Sequence, residues 1–202
     1  MEEEFHNHMR IPWHDYTRKS LGHPITEASL SEKASIIGRT GIMLLSCGTG
    51  AWRVRSSMNT LARELGITCT ADIGLLSIEY TCIDGGNCYT ESLCLFNTGV
   101  NTSKLYRMEL FVNKFSKNCK KMSGDELHTL LDQIHEIHGF YSPPFLGLAA
   151  AVACCAFTFL LGGGPIEMFC AFLGAGAGNF LRAKMNQHHL TLFLCTAASV
   201  AL

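Results

Sequence analysis

Three polar side chains in the most apolar third of the chain have residue types that suit transport chemistry. Glu167 carries a carboxylate, Asn179 an amide and Arg182 a guanidinium. A carboxylate in apolar surroundings is costly unless it faces water, a cation or a protein interior, so Glu167 is a candidate for a proton or substrate pathway. The alternative is that Glu167 lies at an interface and favours a helix start. Asn179 and Arg182 have the weaker claim, because an arginine near a helix end normally extends toward water.

A second candidate motif contains Gly48 and Gly50, followed by Arg53. Two glycines so close together disfavour an uninterrupted helix, so either a helix breaks there or another backbone approaches closely. The motif follows a helical run and lacks a third glycine, which argues against a dinucleotide fingerprint. Cys47 beside it could be a nucleophile, but no spacing links this thiol to a base.

Three histidines, His128, His135 and His138, could form a metal-binding face on one predicted helix. The last two are three residues apart and lack the four-residue spacing of the zinc-protease motif, and no cysteine pair completes a zinc set. We therefore interpret them as a solvent-facing or interfacial row, and predict no metal and no cofactor. The ten cysteines contain no C-x-x-C pair and are read as free thiols.

The C-terminal third predicts membrane helices. No formal charge occurs from Phe140 to Ile166, a run of 27 residues, and about twenty apolar residues suffice to cross a bilayer. We expect transmembrane helices at about 143–162 and 166–182. The apolar segment 190–202 is too short to span, so we expect either a truncated membrane domain or completion by a partner.

The preceding part of the chain predicts an α+β domain. We expect a disordered tail over 1–28 and a soluble domain over 29–142, in the order helix, β-hairpin, two helices. Ser29 and Ser123 each precede a glutamate by three residues, as at a helix start. Asp84-Gly-Gly-Asn87 is a strong hairpin turn signal.

The distribution of charge predicts the orientation of the domain. Positive residues at 182–189 and in the soluble domain place both in the cytoplasm by the positive-inside rule, at the inner (plasma) membrane. A net charge of −1 argues against nucleic-acid binding.

Four stretches of the chain together resemble the N-terminal part of the threonine/serine exporter family, in particular its separate-subunit members. They are GIMLLSCGTGAWRVRSSMNTLARELG, IEYTCIDGGNCYTE, GVNTSKLYRMELF and SPPFLGLAAAVACCAFTFLLGGGPIEMFCAFLGAGAGNFLR, and the resemblance runs from about residue 30 to the end. The family's glycine-small-glycine element and following arginine match Gly48, Gly50 and Arg53. Its double glycine and acidic residue match Gly163, Gly164 and Glu167. Arg55 stands where many members have an acidic residue.

This resemblance implies a subunit of a secondary exporter and no enzyme. The expected solutes are small and polar, threonine and serine or dicarboxylates such as succinate, moved by the proton gradient. The family's split form implies a second small multi-span membrane protein as partner, and a homo-oligomer stays open. The alternative reading is a membrane-anchored enzyme whose soluble domain does hydrolytic or redox chemistry. Small-residue-rich apolar segments with Glu167 favour the exporter, since a mere anchor needs one leucine-rich helix.

Overall fold

The computed structural model of the protein describes residues 11–17, 22–95, 98–137, 141–187 and 197. The chain divides into two compact units, Met1–Gly139 and Phe140–Leu202. Each unit has its own packing and is treated separately below.

The first two α-helices contribute to the main core of the first unit. Helix α1 (Leu30–Ser46) is capped by Ser29, whose hydroxyl accepts a hydrogen bond from the backbone amide of Glu32. The helix is buried around nearly its whole circumference. Helix α2 (Ala51–Glu64) buries only one stripe, which contains Val54, Met58 and Leu61. A helix that is buried all round must be covered by other elements on every side. The rest of the unit supplies that cover.

A three-stranded antiparallel sheet packs on α1. Its strands are β1 (Thr68–Ile73), β2 (Ser77–Asp84) and β3 (Asn87–Cys94), in the spatial order β1-β2-β3. Asp84 pairs with Asn87, and both turn glycines between them have positive φ, as a two-residue hairpin turn requires. The buried face of β2 contributes Ile78, Tyr80 and Cys82 to the core.

The helices after the sheet complete the unit. Helix α3 (Thr102–Lys114) is capped by the side chain of Asn101 and leads into a π-helical turn, Phe115–Cys119. Helix α4 (Gly124–His135) begins with a full capping box between Ser123 and Glu126. Two short 3-10 helices, Trp13–Thr17 and Ile25–Glu27, precede α1.

The predicted order of secondary-structure elements in the first unit is wrong in the number of strands. We expected a two-stranded hairpin, whereas β1 adds a third strand ahead of it. Only Cys69 of β1 is buried, and the residues on either side of it are exposed threonines. The apolar signal of this strand in the sequence is therefore weak. The described residues of 1–28, the segment predicted to be a disordered tail, include the two 3-10 helices.

The second unit is a pair of helices. Helix α5 (Pro143–Leu160) begins after Ser142 with a proline in its first turn, and α6 (Pro165–Gln187) follows a short turn. Pro143 suits this place because the first amides of a helix have no intrahelical partner. The small residues of the two helices allow close packing, as described below.

The expected transmembrane helices are the second error in the predicted fold class. Among the described residues, which include α5 and α6, no helix is long and apolar enough to cross a membrane. Helix α5 has 18 residues, and the 23 residues of α6 include the charged side chains of Glu167, Arg182 and Lys184. The predicted partial segment 190–202 lies outside the described residues except for residue 197.

Gly38 generates a prediction about the contact between α1 and the sheet. A Cβ built on Gly38 would collide with the ring and hydroxyl of Tyr80, which is buried. We expect Gly38→Ala to destabilise the first unit by about 1–3 kcal/mol, partly offset by up to about 1 kcal/mol of helix propensity. The midpoint of urea unfolding of the full chain in detergent measures the change.

Gly41→Ala is the matched control, since its new Cβ would meet the flexible side chain of Met58, 2.6 Å from the sulfur. A methionine can move aside, so the helix gain should nearly cancel the crowding. Equal midpoints for the two variants would contradict the role assigned to Tyr80.

Candidate functional site

Glu167 lies in the first turn of α6 and is exposed. A Cβ built on Gly164 would lie 2.8 Å from the Glu167 Oε2 atom, and one on Gly163 would lie 3.6 Å from the Glu167 Cβ atom. The two glycines therefore leave room for the side chain to fold back over the turn. A carboxylate in this position is favoured by the partial positive charge of the helix N-terminus.

The structure does not bring the three predicted pathway residues together. Glu167 and Arg182 are 15 positions apart on one helix, or about 22 Å at 1.5 Å per residue. The side-chain amide of Asn179 donates to the carbonyl of Ala175, 3.0 Å away in its own helix. Arg182 is exposed. Within this unit, Glu167 and Arg182 therefore cannot act on one solute at the same time.

Small residues set the distance between α5 and α6. A Cβ built on Gly147 would lie 3.1 Å from the carbonyl oxygen of Gly176, and one on Gly176 would lie 3.1 Å from the Cβ of Ala151. The backbones of the two helices are thus nearly in contact. Such packing through small residues is typical of helix pairs in membrane proteins.

Gly48 and Gly50 separate α1 from α2, and their roles differ. Gly48 has φ of +76°, and its amide donates to the carbonyl of Leu45, 3.0 Å away, as at a helix C-terminus. Gly50 is the N-cap of α2 with an ordinary extended backbone. The amide of Gly99 also donates to the carbonyl of Ser46, 3.2 Å away. Both alternatives raised by the sequence are therefore present, a helix break and a close approach of another segment.

Arg53 and Cys47 flank this junction but do not form a reactive site. Arg53 donates to the carboxylate of Glu109 on α3, 3.0 Å away, in a largely exposed ion pair. Burial raises the pKa of the Cys47 thiol, and this outweighs the lowering by Ser46 and the charge of Lys104. A thiol with a raised pKa is the opposite of an activated nucleophile.

A charged cluster that the sequence analysis missed joins the N-terminal segment to α1 and α4. His14 Nδ1 lies 2.6 Å from Asp125 Oδ1, and its Nε2 lies 2.8 Å from Asp132 Oδ2. Asp132 also pairs with Arg39, whose guanidinium is buried and stacks over the ring of Trp13. Since a neutral imidazole has one N–H, contacts from both nitrogens to carboxylates favour the protonated form.

The pKa values in this cluster follow from these contacts. Hydrogen bonds to Asp125 and Asp132 raise the pKa of His14. Burial raises the pKa of Asp132, but hydrogen bonds from His14 and Arg39 outweigh it and leave that pKa lowered. His128 is fully buried, and burial together with the charge of Arg39 lowers its pKa to about 3.

The histidine row on α4 is therefore not a solvent-facing row. His128 Nε2 lies 3.1 Å from the hydroxyl of Ser35, and its carbonyl accepts from Arg39 at 3.0 Å. His135 is exposed, and His138 lies outside the described residues. In the part of the chain that the structure describes, no group of three or more His, Cys, Asp or Glu side chains could hold a metal ion.

Two sequence signals could have revealed this cluster. Trp13 and Tyr16 are large aromatic residues in a segment read as disordered, and such segments are usually poor in them. Arg39 lies in the middle of the apolar helix α1, and a buried arginine requires a partner. Pairing between distant segments cannot be read from one sequence, so Asp125 and Asp132 were not recognised.

The comparisons with known proteins identify the family of the chain. The family model described as "Putative threonine/serine exporter" matches residues 35–202. The match covers most of the chain, so the chain belongs to the threonine/serine exporter family. Membership places it among transporters and implies a membrane location. No curated protein and no solved structure matches the chain.

Gly48 and Gly50 give a prediction with an internal control. Gly48→Ala should cost about 1–2 kcal/mol, because a residue with a side chain is strained at this positive φ. Gly50→Ser should change stability by only a few tenths of a kcal/mol in the favourable direction, since serine is a better N-cap. Urea unfolding of both variants of the full chain measures this. An unchanged midpoint for Gly48→Ala would show that the junction does not depend on this glycine.

His14 gives a prediction about pH. Its pKa is raised on folding, so its stabilising effect is complete below the unfolded pKa of about 6.5 and is lost as pH rises through the folded value. The stability difference between wild type and His14→Gln should therefore be larger at about pH 6 than at about pH 9. We expect it to stay below about 1 kcal/mol because the pair is half exposed.

The measurement uses urea unfolding followed by the fluorescence of Trp13, which stacks with His128 in the cluster. A Trp52→Phe background removes the second indole. The free-energy cost of protonating the buried His128 at low pH is present both in wild type and in His14→Gln. It therefore cancels in the stability difference between them. His23→Gln, an exposed histidine outside the cluster, is the control. A pH-independent difference for His14→Gln would contradict the assigned pairing.

Proposed function

We propose that this chain is a membrane-associated subunit of a secondary exporter for small polar metabolites. The solutes are threonine and serine, with dicarboxylates such as succinate as the other candidates from the sequence, and the proton gradient drives export. The family match over residues 35–202 carries this proposal, because it includes both units.

The surface of the second unit supports association with other apolar material. Large apolar side chains of α5 and α6 are mostly exposed within this unit, including Phe157 at 66% and Phe169 at 62%. Extended exposed apolar surface marks contact with lipid or with another protein. A second, small multi-span membrane protein is the partner we propose, and contact with the bilayer and with a further copy of the chain are consistent with the same surface.

The chemistry of the first unit supports a cytoplasmic location for it. All cysteines in the described part of the chain are free thiols, including the buried Cys47, Cys69, Cys82 and Cys119. Free thiols persist in a reducing compartment. The first unit of an inner-membrane exporter would then face the cytoplasm, where the solute is collected.

Glu167 is the residue to which we assign proton-coupled movement. Its carboxylate is exposed at the start of α6, and the glycines before it leave space for it to turn. Arg182, which is also exposed, could contact a carboxylate of the solute when a partner brings it close. Asn179 has a weaker role because its amide already binds Ala175. Gly48, Gly50 and Arg53 shape the first unit.

The alternative of a membrane-anchored enzyme has no specific observation in its favour. The family is one of transporters. The thiol of Cys47 has a raised pKa, and Arg53 is engaged with Glu109. A thiol with a raised pKa and an arginine held in an ion pair are typical of residues that stabilise a fold, and not of a catalytic site.

The test is export of radiolabelled threonine, serine and succinate from loaded cells that express the chain with its membrane partner. Glu167→Gln should lower export roughly tenfold or more, equivalent to about 1.4 kcal/mol, while Glu167→Asp retains a part. The reason is that an amide cannot carry the proton. A role only in starting the helix would be worth about 0.3–1 kcal/mol and would affect folding instead.

Glu79→Gln, which neutralises an exposed carboxylate on β2, is the matched control and should export normally. Immunoblots of membranes give the amount of each variant. Normal efflux by Glu167→Gln at normal abundance would remove Glu167 from the mechanism. Absence of export of all three solutes by the wild-type pair would overturn the assigned solute class.

A further inference from the structure

A groove between α3 and α4 has the properties of a binding site unrelated to Glu167. Its volume is about 480 Å³, within the range of sites that hold small organic molecules. We call it the α3–α4 groove, and its walls come from both helices and from the π-helical turn. The lining residues used below are Arg107, Lys114, Leu130, Gln133, Ile134 and Ile137.

The interior of the α3–α4 groove is apolar and firmly supported. Phe111, Cys119 and Ile134 line it and are themselves buried in the core of the first unit. The ring of Phe111 packs edge-on against Phe115 at 5.6 Å between centroids, which fixes this wall. A ligand that fills the groove must therefore present hydrocarbon to it.

The rim of the groove is basic. Arg107 and Lys114 are seven positions apart on α3, two turns along the same face, and Gln133 adds an amide from α4. Among the described residues that line the groove there is no aspartate or glutamate. A ligand with an apolar body and an anionic end would satisfy both features.

Three other cations of this unit have acidic partners, which the rim cations lack in the described part of the chain. Arg53 pairs with Glu109, Lys33 with Asp84 and Lys120 with Glu64. Within the described residues, no ion pair joins Arg107 or Lys114 to an acid. Two cations over an apolar groove give charge complementarity to an anion and would repel a cationic ligand.

We propose that the α3–α4 groove binds a free fatty carboxylate, with its headgroup at Arg107 and Lys114 and its acyl chain along Leu130, Ile134 and Ile137. Threonine, serine and succinate are too polar to fill this interior, because burying polar groups without partners is unfavourable. The site is therefore distinct from the export pathway. It gives the first unit a means to sense an amphipathic anion.

The experiment uses the full chain in native membranes and a decanoate that carries a photoreactive diazirine in its acyl chain. After irradiation, mass spectrometry of peptides should place the label on α4 and the residues just after it, at or beside Leu130, Ile134 and Ile137. Unlabelled decanoate should compete for this labelling, whereas decanol and a phospholipid should not. The last two competitors separate a free carboxylate from a neutral chain and from a lipid headgroup.

Variants test the two halves of the site. Arg107→Gln combined with Lys114→Gln should lower groove labelling about tenfold, equivalent to about 1.4 kcal/mol. Arg55→Gln combined with Arg63→Gln removes the same charge from α2, which does not line the groove, and should leave labelling unchanged. Leu130→Trp, which fills the groove from its half-buried edge and keeps both cations, should abolish labelling. Urea unfolding of each variant shows that it is folded.

Four results would overturn the proposal. The first is equal labelling of the groove by wild type and by the folded Arg107→Gln, Lys114→Gln variant. The second is label confined to residues 143–187, which would mean that the probe only dissolves in apolar surface. The third is competition by phospholipid or decanol as strong as that by decanoate. A fourth result, cross-links between two copies through α3 and α4 without probe capture, would assign the groove to self-association and refute fatty carboxylate binding.

Discussion

The buried charge of Arg39 is the constraint on which the first unit depends. It lies on α1, the helix on which most other elements of this unit pack, and its guanidinium is almost inaccessible to water. A buried cation without partners would cost several kcal/mol, so the fold must supply them. Asp132, the carbonyl of His128 and the ring of Trp13 do so. The partners come from α4 and from the N-terminal segment, so this one charge connects three parts of the chain.

A second set of hydrogen bonds, partly buried, links the same N-terminal segment to the sheet. The hydroxyl of Tyr16 donates to Glu91 Oε1 at 2.6 Å, and the hydroxyl of Tyr80 lies 2.7 Å from Glu91 Oε2. Burial and the neighbouring carboxylate raise the pKa of both tyrosines, which keeps them as donors. Tyr80 also packs against Gly38 of α1. The helix, the sheet and the N-terminal segment are thus joined through polar groups as well as through apolar packing, and such groups fix their relative positions.

Local signals in the sequence predicted local structure well. The helix starts at Ser29 and Ser123 are confirmed, because capping uses only residues three positions apart. The break near Gly48 and the turn at Asp84 to Asn87 are confirmed for the same reason. Contacts over long sequence separations were not predicted, since nothing near Arg39 or His14 indicates Asp132. Strand β1 was missed because only one of its residues is fully buried. The expected transmembrane helices were wrong, because counting apolar residues did not locate the ends of α5 and α6 or weigh the three charged side chains of α6.

The same distinction applies to the candidate site. Glu167 could be selected from the sequence because a charge in apolar surroundings is conspicuous in one chain. A pathway needs several groups around one solute, and Glu167 and Arg182 are about 22 Å apart on a single helix. The groove beside the close contact of Gly147 and Gly176 is lined by glycine and apolar side chains, so it offers no polar side chain to a solute. The remaining walls of a pathway must therefore come from surfaces outside this pair of helices. The exposed apolar side chains of α5 and α6 are where such surfaces would pack, and Glu167 directly follows one of them, Ile166, in the first turn of α6.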